Sequence, residues 1–195
     1  MITPDVAATS FGVLASYLFF RWLRAPSWER SVAAGLALGL AECCKATWIV
    51  LYALWPLIVV ANLLACRGRD TALKAVGLGT TLGISIVVVN ICYLCEGSLT
   101  PLRDYQFTSQ ALKGGDDPGS LVGNRFSESM LGAFPVPFPR NYIAGIDRQK
   151  LDFELRMWSY LRGEWRLGGW WYYYLYASAV KLPIGTLLLF VSRSL

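Results

Sequence analysis

Histidine is absent from all 195 residues, and Asp, Glu, Lys and Arg together make up only 16% of the chain. The first absence excludes Ser-His-Asp and Cys-His catalytic machinery and imidazole metal sites, so any acid–base work falls to carboxylates, lysine or tyrosine. The scarcity of charge, set beside 55% hydrophobic residues and a mean hydropathy of +0.43, is unlike a soluble domain. The chain also has no run of basic residues with the spacing of a nucleic-acid motif, so its net charge of +5 does not argue for nucleic acid. Cysteine is sparse too: Cys43, Cys44, Cys66, Cys92 and Cys95 all fall within or at the ends of apolar stretches. Cys92 and Cys95 form a CxxC that would share a helix face, but no second pair and no histidine completes a tetrahedral metal site. Packed thiols are the plain reading.

What the chain does have is apolar blocks with the charges gathered between them. Residues 46–66 and 75–95 are free of charge, and each is long enough to cross a hydrocarbon core of about 30 Å at about 1.5 Å per helical residue. Three further segments read as spans: 6–23, 31–44, which carries Glu42, and 170–192, which contains Lys181 and Pro183. The expected fold is therefore an all-α, polytopic helical membrane protein with about five spans and one large extracytoplasmic loop. Its regions are 1–97, helical and transmembrane; 98–169, the loop; and 170–195, an aromatic interfacial segment leading into a last span. The start lacks a basic n-region and a small-residue cleavage site, so the first helix is expected to stay in the protein.

Orientation follows from the short connections. Arg21, Arg24 and Arg30 lie in one, Arg67, Arg69 and Lys74 in another, and Arg193 follows the last span. Alternating spans put all of these on one side, which the positive-inside bias makes cytoplasmic. Asp5, residues 42–47 and residues 96–169 then face outward, and the expected location is the cell (inner) membrane, as a multi-pass protein.

The polar loop opens with Ser98-Leu99-Thr100-Pro101, a plausible helix start, and the pattern predicts a helix over 102–112 that breaks at the glycine- and aspartate-rich 113–119. The alternating prolines of 130–139 favour an extended segment lying along another part of the chain. Residues 147–161 read as a helix with Leu151, Leu155 and Trp158 on its apolar face, resting on the bilayer or on the domain surface. Six of the seven residues in 170–176 are aromatic, as in the belt that Trp and Tyr form at the headgroup level. Lys181 follows an apolar stretch and places a cation near lipid phosphate.

Three stretches are familiar in combination: Asp5-Val6-Ala7-Ala8-Thr9 at the start of a helix, Gly35-Leu36-Ala37-Leu38-Gly39-Leu40-Ala41 leading to Lys45, and Trp171-Tyr172-Tyr173-Tyr174-Leu175 leading to Lys181-Leu182-Pro183. Together they resemble the membrane-embedded GT-C glycosyltransferases of the family 39 type, which include protein O-mannosyltransferases and lipid A aminoarabinose transferases. The resemblance implies transfer of a sugar from a polyprenyl-phosphate carrier to an extracytoplasmic acceptor, with inversion at the anomeric carbon. It implies for Asp5 a catalytic place among the outer acidic positions, near the acceptor or a divalent cation. Lys45 and Lys181 match basic positions facing the carrier phosphate, Arg140 and Arg148 become phosphate or sugar contacts, and the aromatic surface at Trp171 and Tyr172 would receive the prenyl chain and the sugar. The family's main catalytic carboxylate lies on an outer loop between two spans that would precede Asp5, and further spans would follow Leu195. The resemblance therefore implies that this sequence corresponds to an internal piece of such an enzyme.

The same residues have simpler readings. Asp5 suits a helix N-cap, Lys45 could pair with Glu42, Lys181 could snorkel, and the two arginines could belong to a solvated surface. A noncatalytic membrane scaffold or subunit with a partner-binding outer loop is the alternative function. A transporter half is weaker, because the sequence has no inverted repeat and no matching pair of broken helices.

Overall fold

The computed structural model describes residues 4–65, 71–114, 122–155 and 157–181. The chain divides into two compact units, Met1–Lys150 and Leu151–Leu195.

The first unit is built on four helices. α1 (Pro4–Arg24) begins with a proline, whose missing N–H would have had no intrahelical partner, and carries Asp5 in its first turn and Arg21 and Arg24 in its last. Those charges oppose the helix dipole at both ends. The helix stops before Pro26, which disfavours helical geometry at the preceding residue. Ser27 then caps α2 (Trp28–Cys44), its side chain accepting from the Arg30 N–H at 3.4 Å. α2 ends where Lys45 turns extended, and a 3-10 turn, Ala46–Ile49, leads into α3 (Val50–Ala65). α4 (Thr71–Cys92) follows.

Among the described residues, three helical stretches are long and apolar enough to cross a membrane: Asp5–Arg24, Ala46–Ala65 and Thr71–Cys92. α2 has 17 residues, with Glu29 and Arg30 in its first turns and Glu42 near its end, and does not join them on length and composition. Of the segment expected to form a last span, 170–192, only the part up to Lys181 is described; residues 182–195, Arg193 included, lie outside the described residues.

α2 lies between α1 and α4 because its surface is small. Ala34, Ala37 and Ala41 are buried, and Gly35 and Gly39 meet α4 directly. A Cβ on Gly35 would come within 2.6 Å of the Thr81 carbonyl oxygen and one on Gly39 within 2.5 Å of Val88 Cβ. This small-xxx-small spacing lets the backbones of α2 and α4 approach closely, as at helix interfaces where lipid supplies no hydrophobic drive. Thr81 then reaches across, its hydroxyl donating to the Ser31 carbonyl at 3.2 Å. α3 joins through aromatic packing: Trp55 stacks on Phe19 of α1 with centroids 4.2 Å apart, and Tyr52 shares a 2.7 Å hydrogen bond with Ser85 of α4. Lys74, expected in a basic connection, instead lies buried in the first turn of α4 and donates to Asn62 Oδ1 of α3 at 2.7 Å.

Residues 93–139 do not contain the helix expected over 102–112. Leu102–Asp104 is a single 3-10 turn, and the next helix, α5, spans only Gln110–Lys113. The reason is tertiary. Asn124 Nδ2 captures the Leu102 and Tyr105 carbonyls at 2.7 and 2.8 Å, Phe107 pairs with Gly123, and Tyr105 and Phe107 are buried at a spacing of two residues. The proline-rich stretch does lie along another segment. After a 3-10 turn, Met130–Ala133, it bridges Pro135 to Pro101 and pairs Leu99 N–H with the Val136 carbonyl at 2.8 Å.

α6 runs over Arg140–Glu154, so it begins and ends earlier than the helix expected over 147–161. Residues Trp158–Leu161 (β1) instead pair antiparallel with Glu164–Leu167 (β2), which makes the fold mostly helical rather than all-α. Arg162 and Gly163 close this hairpin with φ of 56° and 89°, the paired left-handed geometry that suits a two-residue turn. Across it, the Tyr160 and Trp165 rings lie 5.2 Å apart. A last described helix, α7 (Tyr173–Lys181), closes the second unit.

Replacing Gly39 by leucine should force α2 off α4, at a cost of about 1–3 kcal/mol. Thermal unfolding in detergent should show a lowered Tm for Gly39→Leu and little change for Gly79→Leu, where a Cβ meets nothing within 4 Å.

Candidate functional site

Asp5 and Lys45 are 40 residues apart in sequence and meet at one end of the helices, with Lys45 Nζ 2.7 Å from Asp5 Oδ1. Both remain open to the surroundings, Lys45 at 42% and Asp5 at 61% side-chain exposure. An ion pair this exposed contributes about 0–1 kcal/mol, so it is easily exchanged for another anion or cation. Asp5 sits inside the first helical turn, and the Glu42–Lys45 pairing weighed from the sequence does not form.

Glu42 faces inward. Its residue is 2% exposed, and its Oε2 accepts a hydrogen bond from the Tyr142 hydroxyl, 100 residues away on α6; its Oε1 is buried without a partner. Aromatic rings close over this contact. Phe138 stacks on Tyr142 at 5.2 Å, while Tyr93 meets Tyr142 edge-on, and Tyr52 meets Phe138 in the same way. Burial, reinforced by the neighbouring Glu42, pushes the Tyr142 hydroxyl well above the ordinary phenol range, so it remains a donor. Cys43 of α2 and Cys92 of α4 are neighbours beside this cluster. Cys95 has left the helix, with φ of 57°, so the CxxC face expected from the sequence is not formed.

Two more contacts orient α6. Asp147 Oδ2 accepts from the Thr108 N–H at 2.7 Å and its hydroxyl at 2.8 Å, and Oδ1 accepts from the Ser109 N–H at 3.0 Å. Burial works to raise the Asp147 pKa, but hydrogen bonding by Ser109 and Thr108 outweighs it and holds the carboxyl below its ordinary 3.8. At the start of α6, the Arg140 N–H donates to the Glu96 carbonyl at 2.9 Å and Asn141 Nδ2 to Glu96 Oε2 at 3.0 Å.

Arg140 is thereby aimed across Tyr105, its guanidinium 5.7 Å from the ring centroid, with Nη2 3.1 Å from the Asp104 carbonyl. It borders a cleft of about 410 Å³ with Gln106, Phe107, Asn141 and Asp104. A guanidinium, two amides and a carboxylate around aromatic side chains can hydrogen-bond a sugar or a phosphate. Arg148 is exposed on α6, one residue beyond the Asp147 clamp.

Trp171, Tyr172 and Lys181 belong to the second unit. Trp171 is 89% exposed and meets Tyr172 edge-on at 5.5 Å; Lys181 is the exposed last residue of α7. This unit carries a groove of about 1060 Å³ lined by Trp158, Tyr160, Trp165, Trp170, Tyr173 and Tyr174, among others. Of the residues singled out from sequence, the structure thus brings Asp5 and Lys45 into contact and sets Arg140 on a cleft. Tyr142 and Asp147 gave no sequence signal of their own. Glu42 did, as a lone carboxyl near the end of an apolar helix.

A divalent cation does not fit these residues. Such an ion needs several oxygen ligands, no three His, Cys, Asp or Glu side chains converge among the described residues, and the Lys45 ammonium occupies the approach to Asp5. No protein-family model matches the chain, and neither a curated protein nor a solved structure does.

The Asp147 clamp gives a pH dependence with a definite sign. A carboxyl with a lowered folded pKa adds stability that is fully present above its ordinary value and is lost as pH falls through the folded one. Protection of the Thr108 and Ser109 amides, taken relative to their intrinsic exchange rates, should therefore hold through neutral pH and fall only in acid below 3.8, and Asp147→Asn should abolish that step.

Proposed function

We propose that this chain is a membrane glycosyltransferase, or a piece of one, that moves a sugar from a polyprenyl-phosphate carrier to an acceptor on the outer side of the cell membrane. In this reading the spans are about five, α2 and the segment 170–192 completing the three that are long enough by themselves. The observation that carries it is the open Asp5–Lys45 pair at a helix-bundle rim, an anion and a cation held together at little gain in stability. It is supported by the cleft at Arg140 and by the aromatic groove of the second unit, which suits a sugar face and an isoprenoid chain.

The chemistry follows from these groups. The acceptor hydroxyl attacks the anomeric carbon opposite the carrier, the anomeric C–O bond to phosphate breaks, and the polyprenyl phosphate departs with the bonding pair. Asp5 takes the hydroxyl proton, and Lys45, released from Asp5, meets the negative charge that grows on the phosphate. Arg140 and Arg148 supply further phosphate or sugar contacts in the first unit; the second unit, taken by itself, offers Lys181 for a phosphate and Trp171 and Tyr172 for a prenyl chain and a sugar.

The test is transfer by purified full-length protein from a synthetic polyprenyl-phosphate sugar. Asp5→Asn should lower kcat by about 100-fold, and Lys45→Ala should lower kcat/KM by a similar factor. Transfer at the parental rate by both variants would remove Asp5 and Lys45 from the chemistry. No transfer by the intact protein with any donor would favour the scaffold reading.

A further inference from the structure

Residues 93–136 expose large apolar side chains in one neighbourhood. Leu94 is 89% exposed, Met130 97%, and Leu99, Leu131 and Phe134 more than half. Leu94 and Leu99 also hold left-handed backbone, with φ of 54° and 62°, a conformation that ordinarily selects glycine or asparagine. A water-exposed turn gains nothing from leucine at such positions.

Hydrogen bonds fix the height of this rim. Asn90, in the last turn of the membrane-length helix α4, donates from Nδ2 to the Pro137 carbonyl at 2.8 Å, and the Ser98 hydroxyl donates to its Oδ1. From there, Leu99 N–H pairs with the Val136 carbonyl at 2.8 Å, Leu102 N–H with the Phe134 carbonyl at 3.0 Å, and Phe134 N–H with the Leu131 carbonyl at 3.1 Å. The five apolar residues are therefore tied, step by step, to the level at which α4 ends. The turn that presents Met130 and Leu131 is firmly seated. Gly132 at its centre is buried, and a Cβ there would collide with the Phe126 carbonyl and approach Arg103 Cβ at 3.2 Å. Arg103, its side chain 58% exposed and its Nε in a loose, exposed ion pair with Asp104 Oδ1 at 4.0 Å, thus stands beside the apolar turn.

We propose that Leu94, Leu99, Met130, Leu131 and Phe134 form a rim that inserts into the headgroup layer of the bilayer beside the end of α4, with Arg103 on lipid phosphate. Apolar side chains at a membrane surface sink to the boundary between headgroups and acyl chains, and a neighbouring cation adds attraction to phosphate. The occupant is lipid because the rim is continuous with a membrane-length helix, and because a guanidinium beside an apolar tip matches the order of layers in a leaflet. This reading is independent of the proposed transferase activity.

The test uses the full chain in lipid nanodiscs, with an environment-sensitive fluorophore on Met130→Cys, Leu94→Cys and, as a control, the exposed Gln106→Cys. The unsubstituted protein, labelled in parallel, supplies the background from the native cysteines. Lipids brominated high on the acyl chain should quench the labels at 130 and 94 by roughly twofold and leave the label at 106 unchanged. Equal, unquenched emission at all three positions would overturn the proposal. A blue shift at 130 and 94 without bromine quenching, growing with the protein-to-lipid ratio, would also overturn it and assign the rim to a second copy of the chain.

Discussion

The contact on which the first unit depends is the hydrogen bond from Tyr142 to Glu42. A carboxyl buried near the end of an apolar helix is expensive unless it is satisfied, and here one oxygen has a single partner while the other has none. That partner comes from α6, beyond the whole 93–139 segment, so satisfying Glu42 draws the polar part of the unit onto the ends of α2 and α4. The aromatic cover of Phe138, Tyr93 and Tyr52 keeps water out and strengthens the contact. Once α6 is seated, Arg140 faces its cleft and Asp147 meets the turn at Thr108 and Ser109. The close approach of α2 and α4 at Gly35 and Gly39 is the other half of this arrangement, since Glu42 lies one turn beyond them on the same helix.

Asp5 and Lys45 contrast with this in a useful way. They are charged, close together and exposed, so they contribute little to folding and remain available. The chain therefore carries one carboxylate committed to architecture, Glu42, and one left open, Asp5, whose partner Lys45 lies three residues beyond Glu42. That division supports placing the proposed chemistry at Asp5 and assigning Glu42 to the fold.

The features legible in the sequence were those written in local composition. Charge-free blocks announced α3 and α4, the acidic start and basic end marked α1, and the alternating prolines indicated an extended segment in search of a neighbour. The Gly35 and Gly39 spacing was visible too, although its packing consequence depends on which helix lies opposite. What escaped was decided over long sequence separations. Nothing near residue 42 points to residue 142, and nothing near Lys45 favours Asp5 over Glu42. The pattern over 102–112 is compatible with a helix until Asn124 takes its carbonyls. In the same way Leu151, Leu155 and Trp158 are spaced for a helix, but the Arg162-Gly163 turn and the aromatic pair Tyr160 and Trp165 pull the last of them into a hairpin.

The most direct test of this account is a double-mutant cycle on Glu42→Gln and Tyr142→Phe, read as the protection of the 93–139 segment against limited proteolysis in detergent. If the two side chains act as one buried unit, the cycle should give a coupling of about 0.5–3 kcal/mol, with the double variant less damaged than the sum of the singles. Strict additivity, with each single change leaving protection of the segment intact, would contradict it.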